Sequence, residues 1–343
     1  MDEKDRLLLT LLQNGLSLTS RPFDALSAKT GVGGAEILLR IQRLKREGAF
    51  RDIKAILDPR AFRYQGAWVA ARTRHEDFAR YSEVFGKHPG VLYGCERDSD
   101  FNFWFFIAVP AEHDLELHVR CLEKIAGVER GLFLPSKKVF KSRDPWNSLD
   151  AGIFSVAWEH SLRRQTEKTS ALSAEAIAMI RRLQEPFPFT DEPYQKIALD
   201  LGITETEVLG QLDSLQEKGY LKRIGIFQKQ AAIPSSEKIL VVWQIPEEKI
   251  EQVGTEIAGF KEISCVDQRL VLEEFPYSLY ATVQIGMTAE LEVLIKSIQD
   301  RIGKWPYRVL ATDREFSREG IRYFPKDMDA WWHQNRRVIE TAF

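Results

Sequence analysis

The apolar positions at the start of the chain follow the spacing of three short helices. Apolar side chains recur every three or four residues within residues 7–12 and again within residues 37–44, which is the spacing of an amphipathic helix. A second helix is predicted between them, from Pro22 to Gly31, because proline fits the first turn of a helix and glycine commonly ends one. Three such helices, with a glycine between the second and the third, are typical of a helix-turn-helix or winged unit.

The apolar period then changes from helical to alternating. Alternation predicts strands at residues 67–71, 91–93, 101–109 and 132–140. Helical spacing returns between them, at residues 76–86 and 112–126. The resulting order, β-α-β-β-α-β, is that of a ferredoxin-like domain.

The whole pattern is written twice, with an offset of 171 residues. Residues 21–23 match residues 192–194, and residues 46–50 match residues 217–221. After a gap the match resumes, with residues 134–140 against residues 310–316. A duplicated unit predicts two similar domains that pair within one polypeptide, as the subunits of a homodimer would. We therefore predict an α+β fold, a tandem duplication of a helix-turn-helix unit followed by a ferredoxin-like βαββαβ domain, which forms an intrachain pseudo-dimer.

The second copy repeats each predicted element of the first. Its helix-turn-helix shows a capping box at Thr204 and Glu207. Its strands and helices are predicted at residues 238–244, 247–257, 262–267, 278–285, 288–301 and 306–314. The expected boundaries are a first helix-turn-helix unit at 1–50, a ferredoxin-like domain at 51–142, a connector at 143–170, a second helix-turn-helix unit at 171–222, a second ferredoxin-like domain at 223–324 and a helical tail at 325–343.

Charge, hydropathy and cysteine content argue against several kinds of partner and site. The net charge is −2, so no overall basic field draws the chain to nucleic acid or to an anionic membrane. No apolar run approaches the roughly 20 residues of a membrane-spanning helix. The three cysteines, Cys95, Cys121 and Cys265, have no paired metal-ligand spacing. We expect a cytoplasmic protein without a metal site, since the acidic amino terminus also lacks a signal-peptide pattern.

Several separated motifs resemble one family. A helix-turn-helix followed by a ferredoxin-like domain is similar to the Lrp/AsnC architecture of bacterial and archaeal regulators. The motifs resemble a narrower branch, the siroheme decarboxylases of alternative heme and d-type heme synthesis, which occur as heterodimers or as a fused chain. They span about residues 5–325 and comprise residues 21–23, 43–48, 90–91, 96–98 and 102–105 in the first copy and residues 221–225, 241–247, 275–280 and 314–323 in the second.

The resemblance implies a carbon–carbon lyase that removes the acetate carboxyl groups of siroheme, with no cofactor beyond that iron tetrapyrrole substrate. It associates catalysis with the strand after the helix-turn-helix and with the second strand of the ferredoxin-like domain. The catalytic candidates at those positions are Arg223, Gln230, Tyr93 and Cys265. Gln230, Tyr93 and Cys265 stand where the family has histidine, and none of the six histidines of this chain occupies such a position.

Siroheme is flat and carries eight carboxylates, so its site needs apolar walls and fixed cations, arginine above all. The substrate-binding candidates are Lys222, Arg322, Arg269, Tyr277, Arg97, Trp104 and Arg60. We expect the working pocket to depend on Arg223, with Lys222 and Arg322 assisting. The first copy has Asp52 at the position of Arg223, and a carboxylate there would repel a polyanion. The first copy is therefore predicted to act mainly as a scaffold.

Two other functions stay open. The third helix of the first copy carries Arg40, Arg43, Lys45 and Arg46, which could contact DNA phosphates in a transcriptional regulator of the Lrp/AsnC type. Its counterpart in the second copy is acidic, so we predict no DNA partner. A non-catalytic tetrapyrrole-binding protein would have the same fold and pocket without turnover. The expected partners are the iron tetrapyrrole and a second copy or a paralogous subunit, with no membrane.

Overall fold

The computed structural model describes residues 1–50, 52–58, 61–62, 64–128, 130–142, 172–226, 237–285, 288–317 and 322–340. The chain folds as two compact units, each built from parts of both copies. Met1–Phe62 and Thr169–Ala232 form the first, which we call the helical unit. Arg63–Lys168 and Ile233–Phe343 form the second, which we call the sheet unit.

The described elements follow the predicted order in each copy. The first copy contains α1 Glu3–Asn14, α2 Pro22–Thr30, α3 Gly34–Arg46, β1 Ile53–Leu57, β2 Tyr64–Ala71, a 3-10 turn His75–Asp77, α4 Phe78–Gly86, β3 Val91–Arg97, β4 Phe103–Pro110, α5 Leu115–Ala126, β5 Gly131–Leu134 and β6 Ser136–Ser142. The second contains α6 Ala174–Leu183, α7 Pro193–Leu201, α8 Glu205–Glu217, β7 Leu221–Ile226, β8 Glu237–Trp243, α9 Glu247–Ala258, β9 Ile263–Arg269, β10 Leu279–Ile285, α10 Thr288–Ile302, β11 Tyr307–Leu310 and β12 Thr312–Ser317. Two tail helices follow, α11 Asp327–Asn335 and α12 Arg337–Glu340.

The helices of the helical unit begin and end at the capping residues that the sequence predicts. Gly31 ends α2 with φ of 64°, and Gly202 ends α7 with φ of 71°. This left-handed conformation suits glycine and stops each helix before the turn. The predicted capping box is present, because Thr204 accepts from the Glu207 amide and Glu207 accepts from the Thr204 amide. The sequence pattern therefore placed both helix-turn-helix units correctly.

A two-stranded ribbon joins the copies inside the helical unit. β1 pairs with β7 in antiparallel register, with Ile53 opposite Ile226 and Ala55 opposite Ile224. Gly225 lies under the end of α1, where a β-carbon would overlap the Leu12 carbonyl oxygen. The close approach of α1 to β7 therefore requires glycine at this position of the second copy.

The sheet unit contains two five-stranded antiparallel sheets that exchange strands. Their orders are β12-β3-β4-β2-β5 and β11-β8-β10-β9-β6. Each copy therefore gives its last strand to the sheet of the other copy, which confirms the predicted intrachain pairing. The single last strands predicted at 132–140 and 306–314 are wrong in one respect, since each divides in two. In the first copy the break falls at Pro135, which has no amide hydrogen for a strand ladder.

Gly94 makes room for an exchanged strand. A β-carbon there would overlap the ring of Phe316 in β12. We expect Gly94→Ala to lower the free energy of unfolding by about 1–3 kcal/mol, the usual cost of overpacking. Gly210→Ala is the matched control, because a β-carbon in α8 meets nothing within 4 Å. Chemical denaturation of the two variants measures the difference, and equal stabilities would contradict this account of the strand exchange.

Candidate functional site

A cavity of about 340 Å³ lies in the helical unit. It is bounded by the end of α1, the following turn, α2, β7 and the end of α8, so both copies contribute. Three cationic side chains line it: Lys29, Lys222 and Arg223. The uncharged polar residues Asn14, Ser17 and Gln216 complete the polar part of the wall. This composition suits an anionic ligand.

Arg223 is positioned by the turn that follows α1. The Leu16 amide donates to the Ile224 carbonyl over 2.7 Å, which fastens the turn to β7. Gly15 has φ of 111°, and a β-carbon there would lie only 3.0 Å from the Arg223 β-carbon. The Arg223 Nε is shielded from solvent and has no hydrogen-bond partner among the described residues. Arg223 therefore carries an unpaired buried donor beside the cavity.

The other two cations, Lys222 and Lys29, differ in their contacts with the rest of the protein. Lys222 Nζ lies 3.0 Å from Oδ2 of the buried Asp58, and the Gln216 side chain donates to the Lys222 carbonyl. Lys29 is exposed, and the structure records no ion pair between it and another described residue. Lys29 was missed by the sequence analysis, because it lies in no recognised motif.

The counterparts of Arg223 and Lys29 in the duplicated sequence carry the opposite charge. The offset of 171 residues matches Arg223 to Asp52 and Lys29 to Asp200. Asp52 accepts from Lys45 Nζ over 3.1 Å, and Asp200 lies within 3 Å of Arg182 and Lys196. The duplication has therefore given a cationic cavity on one side and neutralised carboxylates on the other.

Most of the other predicted site residues lie between the two sheets of the sheet unit. Arg269 is 4% exposed and pairs with Asp267 over 2.7 Å. Its guanidinium lies over the rings of Tyr280, at 4.3 Å, and Trp68, at 5.5 Å. Ser136 Oγ also donates to Asp267, over 2.6 Å. This is a buried ion pair in the packing of one sheet on the other.

Arg97 and Trp104 also have protein partners in this interface. Arg97 Nη1 donates to the Leu310 carbonyl over 3.0 Å and to Thr312 Oγ1 over 3.1 Å. Trp104 is fully buried, and its Nε1 donates to the Phe101 carbonyl. Both side chains therefore stabilise the interface, and their predicted roles as a cation and an aromatic wall for substrate stay predictions.

Tyr93 is a catalytic candidate whose hydroxyl group donates a hydrogen bond to a carboxylate. Its Oη donates to Glu315 Oε2 over 2.8 Å. Burial raises the pKa of Tyr93 well above its usual value, so the phenol keeps its proton at neutral pH. Glu315 is exposed and belongs to β12, the strand exchanged from the other copy. The sequence did not indicate this partner, because it is 222 residues away.

Three of the remaining candidate site residues lie within the described part of the chain. Cys265 is buried in β9, opposite Thr282 and Ser142. Tyr277 packs against Phe275 at 4.8 Å between ring centroids. Arg322 is exposed at the start of the tail. Gln230 and Arg60 lie outside the described residues.

Arg40 and Arg43, two of the four α3 cations expected to contact DNA, already have carboxylate partners. Arg40 Nη1 donates to Asp5 Oδ1 over 2.9 Å, and Arg43 Nη2 donates to Asp5 Oδ2 over 2.6 Å. The Asp5 side chain is fully buried, and Arg40 also pairs with Asp2 and Glu36. Phosphate contact would require breaking these pairs, which argues against a duplex-binding role for α3.

Two searches of the described residues gave negative results. No helix among them is long and apolar enough to cross a membrane. Within the same ranges, no group of three or more histidine, cysteine, aspartate or glutamate side chains is arranged to hold a metal ion.

Two family models match the chain, each of them once in either copy. The model described as Siroheme decarboxylase NirDL-like HTH domain matches residues 5–51 and 177–221. The model described as AsnC-like ligand binding domain matches residues 63–141 and 235–317. These matches confirm the predicted fold class and its duplication.

One similar protein covers almost the whole chain, and another covers less than half of it. Siroheme decarboxylase from Hydrogenobacter thermophilus is 29% identical over 95% of this chain and 97% of its own length. The siroheme decarboxylase beta subunit of Methanosarcina barkeri is 30% identical over 96% of its length and 43% of this chain.

A solved structure of the siroheme decarboxylase NirDL is 27% identical, covers 98% of this chain and superimposes with a TM-score of 0.77. Another, in co-complex with an iron-uroporphyrin III analogue, is 26% identical, covers 99% of this chain and has the same TM-score. Sequence, fold and duplication thus agree, and the chain belongs to the siroheme decarboxylase family, in its fused NirDL form.

Proposed function

We propose that this protein is a siroheme decarboxylase and that the cavity of the helical unit binds carboxylates of its iron tetrapyrrole substrate. The observation that carries the proposal is the cluster of Lys29, Lys222 and Arg223 around one cavity. Similarity over nearly the full length to proteins named siroheme decarboxylases supports it. A related structure holds an iron-uroporphyrin analogue, a compound of the same chemical class.

The size of the cavity limits what it can hold. Its volume of about 340 Å³ lies at the lower end of the roughly 300–1,000 Å³ typical of ligand pockets. We infer that it takes carboxylate side chains at one edge of the macrocycle and not the whole ring. A carboxylate about 4 Å from a fixed cation gains roughly 4 kcal/mol at an effective dielectric constant near 20. Arg223 adds directed hydrogen bonds, since its Nε has no described partner.

The reaction needs a proton for each carboxylate that leaves. The bond between the acetate methylene carbon and its carboxylate carbon breaks, carbon dioxide departs, and the electron pair stays with the methylene carbon next to the pyrrole. One proton then converts that methylene into a methyl group. A carbanion of this kind accepts a proton from a weak acid, so the donor has to be close and protonated more than it has to be acidic.

Tyr93 has the properties of such a donor. Its raised pKa keeps the phenol protonated, and the phenol donates a hydrogen bond to the exposed Glu315. Cys265 stays a second candidate. Gln230 has no titratable proton, so we assign it at most hydrogen bonding to substrate.

The chain contains both halves of a pair that some relatives divide between alpha and beta subunits. We propose that it acts without a separate partner subunit. Activity of the purified chain alone would support this, and a requirement for an added paralogue would contradict it.

Titration of the purified full chain with siroheme tests the function. We expect a change in the Soret band at micromolar ligand and, on incubation, loss of two carboxyl groups from the tetrapyrrole by mass spectrometry. A Soret change without loss of mass would overturn the enzyme assignment and leave a tetrapyrrole-binding protein. No Soret change would overturn both.

A further inference from the structure

Three of the six histidines form one hydrogen-bonded chain in the sheet unit, which we call the histidine chain. The Gly90 amide donates to His88 Nδ1 over 2.9 Å. His88 Nε2 lies 2.8 Å from His118 Nδ1, and His118 Nε2 lies 3.2 Å from His113 Nδ1. His113 Nε2 lies 3.3 Å from the Asp329 carboxylate at the other end.

The two ends of the histidine chain fix the protons within it. The Gly90 amide can only donate, so His88 Nδ1 must be bare and its proton must sit on Nε2. The same argument passes along the chain and places one proton on the Nε2 atom of His118 and of His113, the last of which donates to Asp329. Four contacts therefore use four protons. A further proton on any of the three rings would bring two N–H groups face to face.

The tail helices α11 and α12 pack over the histidine chain. Trp332 stacks on His118 with centroids 4.4 Å apart and planes at 22°, and Trp331 contacts His88 at 4.2 Å. On the same surface, Cys121 Sγ donates to the Asn335 carbonyl. Met328 of α11 lies 2% exposed in the core of the first ferredoxin-like domain. Docking of α11 and α12 therefore buries the histidines.

The charged groups recorded around His118 give little compensation for a proton added there. Burial and the neighbouring His113 lower the pKa of His118 to about 4, and Asp114 at the start of α5 opposes them only in part. Asp329, on the tail, faces His113 but is itself 80% exposed. The thiol of Cys121 is uncharged, since burial raises its pKa to about 11. The tryptophan faces favour an imidazolium, but they cannot remove the contact between two N–H groups.

We propose that α11 and α12 form a pH-sensitive latch, which is closed while His88, His113 and His118 are neutral and opens when the histidine chain takes up a proton. Opening lets each ring turn its N–H groups to water. The latch belongs to the sheet unit and does not depend on the function proposed above.

The direction of the effect follows from the lowered pKa. His118 binds a proton more readily when the tail is undocked, so docking is favoured above the ordinary histidine pKa of 6.5 and weakens as the pH falls towards about 4. For His118 alone, the docking equilibrium falls about tenfold between about pH 7.5 and about pH 5.5.

Hydrogen exchange of the full chain, followed by mass spectrometry at these two pH values, tests the latch. After correction for the intrinsic exchange rate, protection of residues 327–340 should fall about tenfold at the lower pH. Protection of α9 should not change. His118→Phe keeps a ring for Trp332 to stack on and removes the titration, so its tail should stay equally protected at both values. His333→Gln is the control, since that exposed tail histidine lies outside the histidine chain, and it should behave as the wild type.

Equal protection of the wild-type tail at both pH values would overturn the proposal, as would the same loss in His118→Phe. If that variant does not fold, the wild-type histidine Cε1–H resonances give an independent test. We expect the His118 resonance to titrate below the ordinary pKa and in step with tail exchange. Titration of His118 near the ordinary value, out of step with tail exchange, would overturn the proposal.

Discussion

Replacing Asp267 by asparagine is expected to lower the free energy of unfolding by about 3–5 kcal/mol, because it leaves a buried charge without its partner. The Arg269 guanidinium is 4% exposed, and its ion pair with Asp267 is the only one recorded for it among the described residues. One of its nitrogens, Nη1, already has no hydrogen-bond partner there. The substitution removes a carboxylate and supplies no charge in return.

A double variant separates the cost of a lone charge from the value of the pair. Asp267→Leu with Arg269→Met replaces the pair by apolar side chains, and such replacements are commonly neutral or stabilising. Urea denaturation should therefore find the double variant more stable than Asp267→Asn. Equal destabilisation would show that the pair itself stabilises the sheet interface.

The same double variant tests the sequence-based role of Arg269. If Arg269 serves the packing of the two sheets, the double variant binds siroheme as the wild type does. A large loss of affinity in a folded double variant would instead show that Arg269 contacts the substrate.

Local sequence patterns predicted the helices and strands. The repeat of these patterns at a fixed offset predicted that the two copies pair with each other. Pro22 and Gly31 gave the bounds of α2 to within one residue. The exchange of β6 and β12 could not be predicted, because alternation of apolar residues shows which face of a strand is buried and not which strand lies beside it. Only the interruption at Pro135 hinted that one long strand would divide.

The candidate site was predictable where a motif marked it. Arg223 and Lys222 were found in this way, and both line the cavity. Lys29 could have been found by asking which cations of one copy become carboxylates in the other, since its counterpart is Asp200. The ion pair of Asp5 with Arg40 was not visible, because side-chain partners on different elements leave no periodic trace in a sequence. Asp267 and Arg269 lie two residues apart in β9, but that spacing does not show that both side chains are buried.

The contacts between the histidines were also not predictable from the sequence. Histidine is missing from the positions where the family resemblance places it, whereas His88, His113 and His118 form a structural chain elsewhere. Only His113 and His118 are close enough in sequence to suggest a contact, and nothing in the sequence links them to Asp329.

Arg223→Ala is expected to weaken siroheme binding by more than about tenfold. Hydrogen bonds to a charged partner contribute about 1.5–3 kcal/mol each, and every 1.4 kcal/mol changes a dissociation constant about tenfold. Lys29→Ala should weaken binding in the same direction but by less, because Lys29 is exposed. The measurement is a Soret titration of each variant at equal ionic strength.

Arg51→Ala is the matched control, since Arg51 is the counterpart of Lys222 in the first copy. It should bind siroheme as the wild type does. If Arg223→Ala and Arg51→Ala bind alike, or if Arg51→Ala binds more weakly, the carboxylate site lies with the first copy. The contrast tests the charge asymmetry directly, because Lys29 of the first copy and Arg223 of the second line one cavity, whereas their counterparts are Asp200 and Asp52.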